Sequence, residues 1–197
     1  MRSGRLNLLI IGVIIVFLIF YFIGGYNSLV RLEEEVNSAW AQVSNQYQRR
    51  ADLIPNLVEV VKGYAKHERE TFQAVTEARA KATQITLSPE ILDNPEAFNK
   101  FQQVQGELSS ALARLLAVAE NYPQLKANEN FLSLQAQLEG TENRIAVERR
   151  RFNEVVRRYN TRIRRFPTNI IAGLFGFERK AYFKAEQGAE KAPKVQF

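Results

Sequence analysis

Chemistry-bearing side chains are few in this sequence, and the most suggestive group surrounds its single histidine. The stretch His67-Glu68-Arg69-Glu70-Thr71 begins like the helical zinc-protease motif but lacks the second histidine that the motif requires. The sequence has no cysteine, which excludes disulfides and thiolate metal sites. It contains no glycine-rich phosphate loop and no nucleophile elbow. We therefore predict a protein that is not an enzyme and has no cofactor or metal, with His67 at a solvated helix position.

Arginine is concentrated in residues 144–165, where nine arginines against two glutamates give a local net charge of +7 in a chain of net charge +6. Seven-residue repeats place these arginines in two neighbouring rows on one helix face. We define the basic strip as Arg144, Arg150, Arg151, Arg157, Arg158, Arg164 and Arg165. Anionic lipid headgroups or acidic residues of a second copy or a partner protein would suit it, and a merely solvated face is the alternative. Nucleic acid fits poorly, because no nucleic-acid fold or stacking platform accompanies the charge.

The N-terminal element is an apolar run over residues 6–23, preceded by Arg2 and Arg5. As a helix this run is about 27 Å long, close to the roughly 30 Å hydrocarbon thickness of a bilayer. A cleaved signal peptide is the alternative, but the run is long for a signal core and residues 24–27 offer no clear cleavage pair. We predict a membrane anchor over residues 1–25, with a span that includes Leu6, Ile10, Ile14, Phe17, Phe20 and Ile23.

The charges that flank this run predict its orientation. Two arginines and the terminal amine precede it, whereas Arg31 alone follows closely, ahead of the acidic residues 33–35. The excess of positive charge on the cytoplasmic side favours an N-terminus in the cytoplasm. The rest of the chain would then lie in the periplasm, held by the bacterial inner membrane. A cytoplasmic location is the alternative.

Apolar residues after the anchor recur at three- and four-residue steps, which is typical of amphipathic helices. The stripes cover residues 29–47, 54 to about 83, 98–118 and 131–163, and no alternating run of strand length stands out. Such stripes must be buried against one another. We predict an all-α fold in which the transmembrane helix is followed by an antiparallel up-and-down bundle of three or four long helices over residues 26–166.

Pro55 decides between three and four helices, because a proline inside a helix removes a hydrogen bond and crowds the preceding turn. A turn there would give four helices and return Phe166 to the bilayer. A kink would give three and place Phe166 at the far end. Asp52 as a helix cap slightly favours the turn.

The chain after Phe166 is unusually apolar for a tail. We predict that residues 167–185 form an apolar segment that packs on the bundle, or else contacts the membrane surface or a second copy. Its interaction residues would be Ile170, Leu174, Phe175 and Phe177. Residues 186–197 are predicted to be a disordered tail.

Two blocks of sequence resemble the bacterial LemA family. The first is residues 49–58, RRADLIPNLV, followed by Tyr64-Ala65-Lys66-His67-Glu68. The second is residues 138–146, LEGTENRIA, with Phe152-Asn153, Tyr159-Asn160 and Phe166-Pro167. The resemblance implies a single-span membrane protein with a helical bundle domain and no catalytic residues to carry over. It also implies that polar residues within these blocks matter.

Those polar residues predict a buried hydrogen-bond network that fixes the register of the helices. Asn153 and Asn160 are one heptad apart and each follows an aromatic residue, so both can lie at the edge of one seam. A buried amide without a partner costs about 1 to 3 kcal/mol. The predicted network is Asp52, Asn56, Glu142, Asn143, Asn153 and Asn160. The alternative is a pocket for a ligand or partner around residues 142–144.

Together these features predict a membrane-anchored helical scaffold or adaptor that acts by binding. It would form a homo-oligomer, bind other envelope proteins or an anionic lipid surface, and make no use of nucleic acid. Two alternatives stay open: a sensor with a pocket for a small ligand or peptide inside the bundle, and a membrane-shaping protein.

Overall fold

The computed structural model describes the backbone of residues 2–184 and the side chains of residues 9–184. The side chain of Leu6 and the predicted tail at residues 186–197 therefore lie outside the described part of the chain. Within residues 2–184 all regular structure is helical. The predicted all-α fold is confirmed.

The first helix, α1, runs unbroken for 63 residues over Arg2–Tyr64. At a rise of about 1.5 Å per residue it is about 95 Å long. Residues 9–20 are exposed along its apolar N-terminal part, which is long and apolar enough to cross a membrane. No break separates this part from the helix that enters the bundle, so one rigid rod carries both.

Pro55 lies inside α1, so the interpretation that favoured a turn there is wrong. Because proline has no N–H, the carbonyl of Ala51 loses its helical donor. Arg79 of the next helix replaces that donor, with its Nε donating to the Ala51 oxygen at 2.8 Å. The helix continues because a tertiary contact satisfies the carbonyl that the proline leaves free.

Arg79→Ala should therefore lower the free energy of unfolding by about 1 to 3 kcal/mol, the cost of a stranded buried polar group. In a Pro55→Ala background the same change should cost less, since the N–H of residue 55 can then bond to Ala51. Urea titration of the full chain in mild detergent would measure both, with exposed Lys81→Ala on the same helix as the control. Equal losses in the two backgrounds would contradict this role of Arg79.

The chain turns at residues 65–68 instead, and His67 lies exposed in this turn rather than in a helix. The remaining helices are α2 (Arg69–Gln84), a 3-10 turn (Pro89–Asp93), α3 (Pro95–Ala119), the short α4 (Pro123–Lys126), α5 (Glu129–Arg164) and α6 (Thr168–Phe175). Asn94 caps α3 by accepting from the N–H groups of Glu96 and Ala97, and Asn128 caps α5 in the same way at Phe131.

Four long helices, α1, α2, α3 and α5, alternate in direction. Residue 79 of α2 contacts residue 51 of α1, and on α5 residues 142 and 158 contact residues 50 and 35 of α1. Both α2 and α5 are thus antiparallel to α1, and α5 returns toward the apolar N-terminal part of α1. The expectation that a continuous helix at Pro55 would place Phe166 at the far end is wrong, because the turn at residues 65–68 supplies the missing reversal.

The core has two apolar clusters, stacked along the bundle. The membrane-proximal cluster is aromatic and includes Trp40, Tyr47, Phe98, Phe101, Phe152, Tyr159 and Phe183. The distal cluster is mainly aliphatic and includes Ile54, Leu57, Val61, Phe72, Val75, Leu108, Leu112, Leu115 and Leu138. The buried side chain of Arg50 lies between them.

Candidate functional site

Helix α6 packs against α1 just beyond the apolar N-terminal part. The ring of Tyr26 lies 4.8 Å from that of Phe175 and 5.7 Å from that of Phe177, centroid to centroid. Gly25 is in close contact with Ile171, so any larger residue at position 25 would force the Ile171 side chain to move. The end of the bundle is thereby fixed against the segment where α1 leaves the predicted span.

The predicted apolar interaction residues are divided between two environments. Ile170, Leu174 and Phe175 are exposed, at 48%, 68% and 58% of their side-chain surface. Phe177 is half-buried and packs on the aromatic cluster. Ile171 and Ala172 are buried, so one face of α6 packs on the bundle while the other presents apolar side chains near the predicted membrane surface.

The basic strip lies along the outer face of α5, and all seven of its arginines are exposed. Arg158 forms an ion pair with Glu35 at 3.4 Å, and Arg151 with Glu148 at 3.9 Å. An ion pair between two exposed groups, such as Arg158 and Glu35, contributes about 0 to 1 kcal/mol, so it leaves Arg158 available for other anions.

Asn153 and Asn160 bind backbone rather than other helices, so the prediction that they set helix register is wrong. Asn160 donates to the carbonyl of Lys180 at 2.9 Å and accepts from the N–H of the same residue at 3.0 Å. Asn153 does the same with Phe183, at 2.9 Å in both directions. The two amides hold an extended segment, residues 177–184, along α5.

Side chains of the extended segment fill two sites on the bundle. Phe183 is buried among the rings of Trp40, Phe98, Phe101 and Phe152. The guanidinium of Arg149 covers the Phe183 ring, 4.8 Å from its centroid. This part of the predicted apolar segment is therefore integrated into the core.

Lys180 occupies the second site. Its ammonium donates to Asp93 at 2.6 Å and contacts Glu33 at 3.0 Å. Burial alone would lower the pKa of Lys180, but the hydrogen bonds to Asp93 and Glu33 outweigh it and raise that pKa above its ordinary value. Burial also raises the pKa of nearby Tyr159, helped by the charges of Glu33 and Asp93. Lys180 therefore stays charged in a site built from α1 and the 3-10 turn.

Arg50 is the centre of a polar layer between the two core clusters. Only 1% of its surface is exposed, and it donates to Glu142 at 2.8 Å and to Ser109 at 2.9 Å. It also donates to the side chain and the carbonyl of Gln105, and its guanidinium lies 5.2 Å from the centroid of the Tyr47 ring. Glu142 thus belongs to a hydrogen-bond network that joins α1, α3 and α5.

A cleft of about 590 Å³ opens above this layer, between α3 and α5. Its lining includes Arg50, Gln105, Ser109, Glu142, Arg149 and Lys184. Its donors and positive charges outnumber its single carboxylate, which suits an anionic or amide-rich ligand.

Three members of the predicted network are exposed instead of buried: Asp52, Asn56 and Asn143. They occupy outward positions of α1 and α5, next to buried residues but on the opposite side of the helix. Asp52 accepts from Gln48 one turn earlier, at 2.8 Å. The prediction of burial is wrong for these three side chains.

The sequence model of the LemA family matches residues 39–197, which is more than half of the chain. The chain belongs to the LemA family. The matched residues include the Arg50 layer, the basic strip and the extended segment, so these features lie within the family domain. The resemblance drawn from the sequence blocks is confirmed.

Two relatives of this LemA-family chain are similar to it at modest identity. It is 26% identical over 181 residues to magnetosome protein MamQ 2 of Paramagnetospirillum magneticum, a match covering 84% of this chain and 66% of that protein. It is 26% identical over 171 residues to protein LemA of Metamycoplasma hominis, covering 86% and 74% respectively. The chain spans a little under two thirds of the length of that magnetosome relative.

Three residues that organise the LemA domain were not among the predicted site residues: Arg50, Arg79 and Lys180. Arg50 had a signal, since it lies three residues after Tyr47 and four before Ile54 and so falls on the apolar stripe of α1. Arg79 was partly predictable: Pro55 leaves the Ala51 carbonyl without a helical donor, but the sequence does not show which residue replaces that donor. No sequence pattern identified Lys180, since its carboxylate partners come from two distant elements.

Proposed function

We propose that this LemA-family protein is a membrane-anchored helical scaffold that acts by binding and not by catalysis. The observation that carries the proposal is the continuity of α1, which forms the apolar N-terminal part and also one wall of the bundle core. A rigid rod of this kind fixes the orientation of the bundle relative to the bilayer. The basic strip is then presented at a constant angle to neighbouring molecules.

The partners that fit the strip are acidic surfaces of other envelope proteins or of a second copy, and the anionic surface of the membrane. The inner membrane of a bacterium, with the bundle in the periplasm, is the location that the charge flanking the span supports. A bundle in the cytoplasm would present the same strip to cytoplasmic partners.

Replacing Arg150, Arg157 and Arg164 with alanine should leave helix content unchanged and release bound partners or copies. Mild-detergent extracts of the full chain would show an assembly well above the 22.6 kDa monomer, and the triple variant should shift it to smaller mass. Light scattering after size exclusion measures the mass, and circular dichroism measures the helix.

The matched control removes three exposed cations at the far end of the bundle, Lys62, Lys66 and Arg69. It should leave the assembly intact. A wild-type chain that runs as a monomer with no retained partner would overturn the scaffold proposal, as would equal loss of assembly in both triple variants.

A second candidate function is a ligand sensor, favoured by the cleft of about 590 Å³ above Arg50. Its positive lining would take a small carboxylate or the carboxylate end of a peptide. Reproducible, saturable stabilisation of the full chain by such compounds, measured by thermal shift, would support this function, and no stabilisation would count against it.

A further inference from the structure

We infer that the membrane-proximal end of α5 forms a binding site for the phosphate of an anionic lipid headgroup. The inference rests on the proposed function only in placing the bundle beside a bilayer. The site is a surface concavity of about 400 Å³, lined by Leu32, Arg157, Arg158, Thr161, Arg162 and Arg165.

The chemistry of the lining selects an anion. Four arginines and one threonine line the concavity, and none of its lining residues is acidic. Guanidinium groups bind phosphate oxygens through paired, charge-assisted hydrogen bonds. Glu35 contacts Arg158 at 3.4 Å, but this pair is exposed and easily exchanged for another anion.

The lower end of the concavity lies at a height that favours a lipid over a soluble anion. Arg158 is level with Glu35 of α1, and Arg165 lies seven residues farther down α5, about 10.5 Å closer to the predicted span. That places Arg165 about 7 Å above the level of Ile23, within the headgroup layer of roughly 5 to 8 Å, whereas Arg157 and Arg158 lie about 18 to 20 Å above Ile23. Arg165 is therefore the arginine that meets a headgroup phosphate.

Helix α6 adds the apolar half of a lipid site. It follows Arg165 directly in the chain and presents Ile170 and Leu174 to the outside at the same end of the bundle. Positive charge next to an exposed apolar surface matches a lipid with its charged head and hydrocarbon chains. An acidic protein surface would not use the apolar part.

The test uses the full chain reconstituted in phosphatidylcholine bilayers that contain a trace of spin-labelled phosphatidylglycerol or spin-labelled phosphatidylcholine. Electron spin resonance gives the association constant of the anionic lipid relative to the neutral one. In Arg165→Gln this ratio should fall about fivefold, since one arginine near an anionic surface strengthens binding by about that factor. The Arg165 side chain is exposed, so the fold should not change.

The matched control is Arg150→Gln, which removes the same charge from an exposed position farther up α5. Its ratio should stay within about twofold of wild type, because charges more than a Debye length from the headgroups are largely screened. Equal loss in both variants would overturn the site in favour of general charge attraction, and no loss in either would overturn it altogether.

A competition experiment with soluble inorganic phosphate completes the test. Loss of lipid selectivity at millimolar phosphate, at constant ionic strength, would show that the concavity takes free phosphate and would overturn the assignment to lipid. The lipid-selectivity experiment is independent of the test of the scaffold proposal, which measures the mass of the assembly in detergent. Intact assembly without lipid selectivity would remove this inference alone.

Discussion

Replacing Phe183 with alanine should lower the free energy of unfolding by about 3 to 5 kcal/mol, the range for a fully buried phenylalanine. The Phe183 side chain is 5% exposed. Its ring centroid lies 5.0 Å from that of Phe98 and 5.5 Å from that of Phe152, and the Trp40 ring stacks on it at 6.2 Å. The alanine variant loses this contact area and leaves a cavity in the middle of the aromatic cluster.

Trp40 is the single tryptophan of the chain and stacks directly on Phe183, so its fluorescence reports this unfolding in a urea titration. The matched control is Tyr182→Ala, because Tyr182 is the neighbouring aromatic residue but lies partly in solvent. It should cost less than about 1 kcal/mol. A Phe183→Ala variant as stable as the control would show that residues 177–184 are not part of the core.

The position of Phe183 depends on a match between two kinds of backbone. Asn153 and Asn160 are seven residues apart on α5, a rise of about 10.5 Å. The residues that they bind, 180 and 183, are three residues apart, and three residues of chain span at most about 10 to 11 Å when fully stretched. Two asparagines one heptad apart can therefore hold an extended segment in register through its backbone alone.

This match shows where sequence reasoning ends. The spacing of the two asparagines, their aromatic neighbours and the need of buried amides for partners were all visible in the sequence. The partner was not, because a side-chain amide bonds equally well to another side chain or to peptide groups 20 or 30 residues away. The polar groups were found, and their role was misassigned.

Pro55 illustrates the same limit for the fold. The helical stripes follow from local periodicity, and the sequence predicted the all-α class, the apolar anchor and the antiparallel packing from them. Whether a proline ends a helix depends on a donor for one carbonyl, and here Arg79 supplies it from another helix. Local rules predict the strain at Pro55, while a tertiary contact decides its outcome.

Glu142→Ala should destabilise the bundle more than Arg50→Met does, although the two changes remove the same ion pair. Arg50 is enclosed by the core, whereas the Glu142 side chain is 39% exposed. Without Glu142, the buried cation keeps only neutral partners: Gln105, Ser109 and the ring of Tyr47. Breaking a buried pair in this way costs about 3 to 5 kcal/mol, and the exposure of Glu142 places the expected loss near 3 kcal/mol.

Arg50→Met should destabilise the bundle less, because methionine fills much of the space between the two core clusters. The Glu142 carboxylate can then rotate into solvent. The loss in Arg50→Met should be about 1 to 2 kcal/mol, mainly from the unpaired side chain of Gln105. The double variant Arg50→Met/Glu142→Ala should be more stable than Glu142→Ala alone, since it no longer contains a stranded charge.

The control for these three variants is Glu139→Ala, at an exposed position on α5 three residues before Glu142. It should change the free energy of unfolding by less than about 0.5 kcal/mol. If Arg50→Met proved the most damaging variant, the guanidinium would be stabilising the bundle through its own hydrogen bonds and packing. The polar layer would then be a net source of stability and not a cost that Glu142 offsets, and the argument from the buried charge would fail.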